Sequence, residues 1–205
     1  MKGKKIGILI GVSAVVAAVG ASVTVTQQNE YKLIRQFGKV DRVICEPGIS
    51  FKIPLIERTQ SLPKETLLYD LEASDVITKD KKTMISDSYV LWRITDPLKF
   101  AQTLNSSLEN SESRINTAVY NATKNVISSL SQDRVITSRD GELSDMVMEA
   151  IGDNMEQYGI ELIKFETKQL DLPDDNKAAV YERMISERDN IAATYKAEGD
   201  SEAKV

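Results

Sequence analysis

The hydrophobic pattern changes character several times along the chain. From Ile6 to Thr26 the sequence reads "IGILIGVSAVVAAVGASVTVT", without a charged residue. As a helix rising ~1.5 Å per residue it spans roughly 32 Å, about one bilayer core. The predicted element is a transmembrane signal-anchor, with residues 1–26 forming a cytoplasmic tail and the span. A cleaved signal peptide competes with it, because "AVGAS" offers a small-residue cleavage site. Gly7 and Gly11 fall at four-residue spacing, a stripe that lets helices pack closely. Small residues are also common in anchors of every kind.

Residues 27–95 change to strand chemistry. "EYKLIRQFGKV" alternates imperfectly, "DRVICEPG" reads as a turn region, and "ETLLYDLEA" and "KTMISDSYVLWRI" follow. In the last run Met84, Val90, Trp92 and Ile94 share one face at period two, with Ser86 and Ser88 between them. "TKDKK" is a charged turn, and Trp92 is expected in the core. "CEPGISFKIPLIE" is harder to place. A strand covered on one face alternates, and "IPLI" does not. Phe51, Ile53, Pro54, Leu55 and Ile56 are therefore expected to rest on or dip into a membrane, against the alternative of plain core packing.

The period then becomes helical. Asp96 caps and Pro97 opens a first helix, with Leu98, Ala101 and Leu104 on one side. A second runs from Glu109 to Leu130, with Ile115, Ala118, Val119, Ala122, Val126 and Leu130 inward. A third runs from Asp140 to Gln157, with Leu143, Met146, Val147, Ala150, Ile151 and Met155 inward, and Gly159 caps it. "IELIKFETKQLDL" returns to strand, with Ile163, Phe165 and Thr167 alternating. Strands, then helices, then a closing strand predict an α+β fold. From Pro173 charges dominate. Tyr181, Met184, Ile191 and Tyr195 form a narrow seam that asks for a partner helix, the start of a coiled coil over 173–205, against the alternative of a solvated terminal helix.

Charge and composition narrow the function. Net charge is −5, and Lys2, Lys4 and Lys5 precede the anchor, so the rest carries about −8. That balance argues against a broad nucleic-acid surface. The dense positive tail places the N-terminus inside and the body outside, although Lys32, Arg35, Lys39 and Arg42 follow close behind. With no histidine and one cysteine, Cys45, the chain has no Ser-His-Asp triad, no His/Cys zinc site and no internal disulfide. No Gly-rich phosphate loop is present and no cofactor is called for. Asp171, Asp174 and Asp175 lack the spacing of a calcium loop. A serine-lysine hydrolase tethered to the membrane and a secreted binding domain remain as rivals from other classes.

The pieces "RQFGKV", "EPGISFKIPLIE", "ITKDKKTMISDSYVLWRITDP" and "IKFETKQLDLPDDNKAAVYERMISERDNIAATYKAEGDSEAK" together resemble the SPFH, or band 7, family of stomatins, prohibitins, flotillins and the bacterial HflK and HflC proteins. The resemblance is strongest to the HflC branch. It implies a first SPFH subdomain over 27–95 against the membrane, a second over 96–172, and then a long helix. It also implies a non-enzymatic scaffold. Such a scaffold would join an HflK-like second SPFH protein in a ring or cage, and would modulate an FtsH-type membrane AAA protease. The family's helical arm normally continues further, and "GDNMEQYG" is short beside HflC proteins that carry an insertion there.

Overall fold

The computed structural model describes residues 20–138 and 141–202. Most of the expected anchor, including Gly7 and Gly11, lies outside the described residues, as does Asp140. Among the described residues no helix is long and apolar enough to cross a membrane. The last four residues of the expected span are not helical. Gly20 to Ser22 are helical, but Val23–Thr26 is a strand, β1. Its sequence, "VTVT", consists of β-branched residues that alternate in burial, the chemistry of a pleated strand.

Four further strands complete the first group: β2 (Glu30–Gln36), β3 (Lys39–Ile44), β4 (Gly48–Phe51) and β5 (Glu57–Pro63). β2 is central, antiparallel to β3 and β5, while β1 pairs with β4 in a separate two-stranded ribbon. The first half of the region read as a turn, "DRVICEPG", belongs to β3, and residues 45–47 turn the chain into β4. β2 and β3 are joined by a further turn at Phe37 and Gly38, both left-handed at φ 50° and 86°, between the paired residues Gln36 and Lys39. This two-residue hairpin geometry follows the twist of the flanking strands.

The main sheet contains β6 (Leu67–Asp70), β7 (Ser74–Ile77), β8 (Thr83–Ile94) and β9 (Ile160–Asp171). β8 carries β6 and β7 end to end along one side and β9 along the other. The strands of residues 67–94, grouped with the earlier strands by sequence order, thus share a sheet with a strand that follows the helices, and β8 pairs with it directly. On β8 Met84, Ser86, Ser88, Val90, Trp92 and Ile94 are all buried, the alternation expected, with Trp92 fully enclosed. Each large apolar side chain so covered contributes about 1.5–3 kcal/mol.

The helices α1 (Pro97–Leu104), α2 (Leu108–Ser129), α3 (Gln132–Thr137) and α4 (Glu142–Ile151) and a 3-10 segment (Gly152–Tyr158) complete the core, with α5 (Asp174–Glu202) after β9. The Asp96 carboxylate accepts from the backbone N–H groups of Leu98 and Lys99, both at 3.0 Å, and caps α1. The buried stripe of α1 is Pro97, Phe100, Ala101 and Leu104; Leu98 is exposed, because only the former set follows the i, i+3, i+4, i+7 spacing. Ile115, Val119, Ala122 and Val126 of α2 are buried as expected.

The third expected helix is divided. Gly152 at φ 53° ends α4, the chain continues as 3-10 turns, and Ala150 is left exposed. Gly159 closes this segment in the left-handed conformation, as expected. The alternation expected in β9 fails at Ile163. Leu91 pairs with Lys164 and Trp92 with Leu162, so Ile163 sits in a bulge and turns outward, while Phe165 stays buried.

The first strand group meets the helices at the α1–α2 turn, where Asn105 and Ser106 are both left-handed. Arg35 of β2 donates to the Ser106 hydroxyl at 2.7 Å and Gln60 of β5 to the Ser106 carbonyl at 3.3 Å.

Candidate membrane and assembly surfaces

The β1–β4 ribbon has its polarity reversed. Register pairs Val23 with Phe51 and Val25 with Ile49, so these four side chains share one face. All four are exposed, Ile49 at 71 % and Phe51 at 66 %. On the opposite face Thr24 and Thr26 are buried. A ribbon folding for its own core would place valine and phenylalanine inward and threonine outward.

The ribbon runs into a loop of the same character. After Phe51 the chain turns through Ile53, Pro54, Leu55 and Ile56 before entering β5. Ile53 and Ile56 are exposed, Pro54 is half-buried, and Leu55 is fully exposed. Leu55 also has φ 75°. A left-handed non-glycine residue costs about 1 kcal/mol or more. Leaving a leucine in water forgoes about 2 kcal/mol more. Phe37 joins the same end, because Gln36 pairs with Glu57 and the hairpin turn emerges beside Ile56; it is exposed and left-handed as well.

Polar groups fix the loop from behind. Glu57 is buried, and its carboxylate accepts from the Ile53 N–H at 2.8 Å and from Arg42 Nη2 at 3.2 Å. Its own N–H donates to the Ile53 carbonyl at 3.0 Å. Arg42 Nη2 also donates to the Phe51 carbonyl at 2.5 Å. The N–H of Lys52 donates to the Ser22 carbonyl at 2.7 Å, which ties the loop to the residue just before β1.

The sequence singled out Phe51, Ile53, Pro54, Leu55 and Ile56, and the structure gathers them in one exposed tip. It missed Phe37, Ile49, Val23 and Val25. The last two were assigned to the anchor helix; the signal that separates them is the period-two "VTVT". The second surface is α5, a continuous helix on which Tyr181, Met184, Ile185, Ile191 and Tyr195 are all exposed. Ile185 widens the seam that the sequence proposed.

Catalytic geometry is sparse. Serine hydroxyls at 107 and 131 cap helices, those at 111, 128 and 129 bond to helix carbonyls, and that of Ser106 receives Arg35. None of these six is bonded to a lysine. Among the described residues no group of three or more acidic or thiol side chains is placed to hold a metal. The Asp171 carboxylate accepts from Gln169 and from the Leu172 N–H, and Asp174 and Asp175 lie outside the described side chains.

The model of the SPFH domain / Band 7 family matches residues 24–201. The chain belongs to that family. Among curated relatives, this SPFH chain is 29 % identical to Protein HflC of Haemophilus influenzae, over 92 % of the chain and 68 % of the relative. It is 28 % identical to Protein HflC of Buchnera aphidicola subsp. Schizaphis graminum, over 90 % of the chain and 67 % of the relative. It is 26 % identical to the Escherichia coli K12 protein named Modulator of FtsH protease HflC, over 89 % of the chain and 69 % of the relative. The match begins at Thr24, inside the ribbon, and takes in nearly all of α5.

Proposed function

We propose that this SPFH chain is a membrane-anchored scaffold that modulates a membrane protease. The uncharged N-terminal segment that begins at Ile6 acts as a single-pass anchor with the N-terminus in the cytoplasm and the body outside. The first subdomain lies on the bilayer through Phe51, Ile53, Pro54, Leu55 and Ile56, joined by Val23, Val25, Ile49 and Phe37. The second subdomain packs against neighbours, and α5 bundles with the equivalent helix of adjacent subunits. The partner is an HflK-like second SPFH protein, together forming a ring or cage around a membrane patch. The client is an AAA protease of the FtsH type, the role carried in the name of the Escherichia coli relative. The scaffold acts by controlling access rather than by catalysis.

The observation that carries this reading is the reversed ribbon. Among the described residues its apolar face is exposed, and its first strand is the end of the uncharged N-terminal run. The test is cross-linking in native membranes followed by capture from detergent. Recovery of a second SPFH chain and an AAA protease in a large complex is the expected result; a strictly monomeric protein overturns the scaffold.

A further inference from the structure

We propose that Glu57 is a positioning residue for the apolar tip, acting with Arg42 to set the loop from Phe51 to Ile56 in the shape that turns Ile53, Leu55 and Ile56 outward. The inference rests on the membrane-contact reading above and adds what holds that contact in place.

Glu57 is only 8 % exposed, and its carboxyl group faces Arg42. Burying a carboxylate is costly unless its partners are close and well aimed. Both of its side-chain partners belong to the loop or grip it: the Ile53 N–H at 2.8 Å and Arg42 Nη2 at 3.2 Å, the latter also holding the Phe51 carbonyl. With the Glu57 N–H on the Ile53 carbonyl, the loop is closed at its base from both sides. The conformation so held brings no core burial in return. It keeps Leu55 left-handed and wholly in solvent, two features that a free loop in water would relax. Arg42 stands half in solvent, so the pair is reachable from the surface and can be altered without opening the core.

The experiment uses the full chain reconstituted into phosphatidylcholine vesicles. Leu55→Trp places a reporter at the tip, and brominated phosphatidylcholine quenches it on contact. Trp92, enclosed in the core, is the only native tryptophan and supplies the background from the parent chain. With Glu57 intact, the reporter is strongly quenched above that background. Adding Glu57→Ala or Arg42→Ala lowers the quenching at least twofold. Glu57→Gln, whose amide oxygen still accepts from Ile53, falls between. Trp92 emission and the thermal midpoint report whether each variant is folded. A merely structural role would shift the midpoint and leave the quenching of the folded protein unchanged. Where Glu57→Ala lowers the folded population, Arg42→Ala decides. Parental quenching in a folded Arg42→Ala variant overturns the positioning role while leaving the membrane contact standing. Absence of quenching at Leu55→Trp with Glu57 and Arg42 intact overturns the membrane contact itself, and the inference with it.

Discussion

At the scale of single residues, Gly159 and Glu30 make opposite demands on the chain. Gly159 sits at φ 71°, and an added Cβ would lie 2.2 Å from the Asp96 carbonyl oxygen. That same glycine's carbonyl receives the N–H of Thr95 at 3.0 Å, so the backbone cannot move aside without loosening the entry to α1. Gly159→Ala is expected to cost about 3 kcal/mol or more, read from urea unfolding. Glu30 is held by attraction instead. Lys32 Nζ lies 2.8 Å from its carboxylate and the Gln27 N–H donates to it at 3.0 Å. Lys32 first, then Gln27, lower its pKa from 4.5 to about 2. A depressed carboxylate stabilises the fold above its unfolded pKa and loses that contribution as pH falls through the folded value. The stability advantage of the parent over Glu30→Gln should therefore be full at pH 6, shrink below pH 4.5, and vanish near pH 2. Thermal unfolding across that range checks it; an advantage that persists at pH 2 contradicts the assignment. Local chemistry of this kind is partly legible in sequence. Asp96-Pro97 announces a cap with certainty of place, and Gly159 announces a left-handed stop. Gly152, which splits the third helix, carries the same signal but lies within a helical period that masks it.

Elements follow their period wherever one face meets a core and depart from it where something else competes. β8 alternates without a fault over twelve residues, and its partner β9 departs twice. The bulges at Ile163 and Lys168 come from register, which no single strand's sequence contains. Lys168, displaced by its bulge, reaches Asp70 at 2.5 Å and Asp87 at 2.8 Å. The ribbon was hidden for a different reason: "VTVT" continues an uncharged run, and hydropathy alone cannot distinguish a lipid-spanning helix from a strand with its apolar face turned out. Its exposed tip was legible because "IPLI" breaks alternation. Paired over only four residues and packed on a polar face, the ribbon should exchange amide hydrogens well before β8, whose amides should open only with global unfolding. Equal protection in both would argue that the ribbon is part of the main cooperative unit. On α5, Ile191→Glu with Tyr195→Glu should change the stability of the folded body by no more than about 0.5 kcal/mol, since both side chains are in solvent. The same pair should reduce complex size in sedimentation if the helix bundles; an unchanged size removes α5 from the assembly surface.

For the whole molecule, the arrangement separates two kinds of contact. The apolar tip and the ribbon gather around the end of the N-terminal segment, and α5 follows the last strand of the main sheet as a rod of about 43 Å. Orientation in the membrane can be checked directly. Protease added outside sealed cells should cut the body, and protease confined to the cytoplasm should not. The opposite pattern would reverse the topology while leaving the scaffold intact. Close quarters bring their own hazard, and β9 bears on it. β8 is bonded along both sides, but the outer side of β9 has no strand beside it among the described residues. In the assembly proposed above, this twelve-residue edge would be repeated in many copies at high local concentration, and an unpaired edge is a template for adding strand to strand. The two bulges interrupt that edge, and Glu161, Lys164, Glu166 and Lys168 stud it with charge of both signs. Bulges and mixed charge are the features that blunt a strand edge against such addition, and β9 carries both.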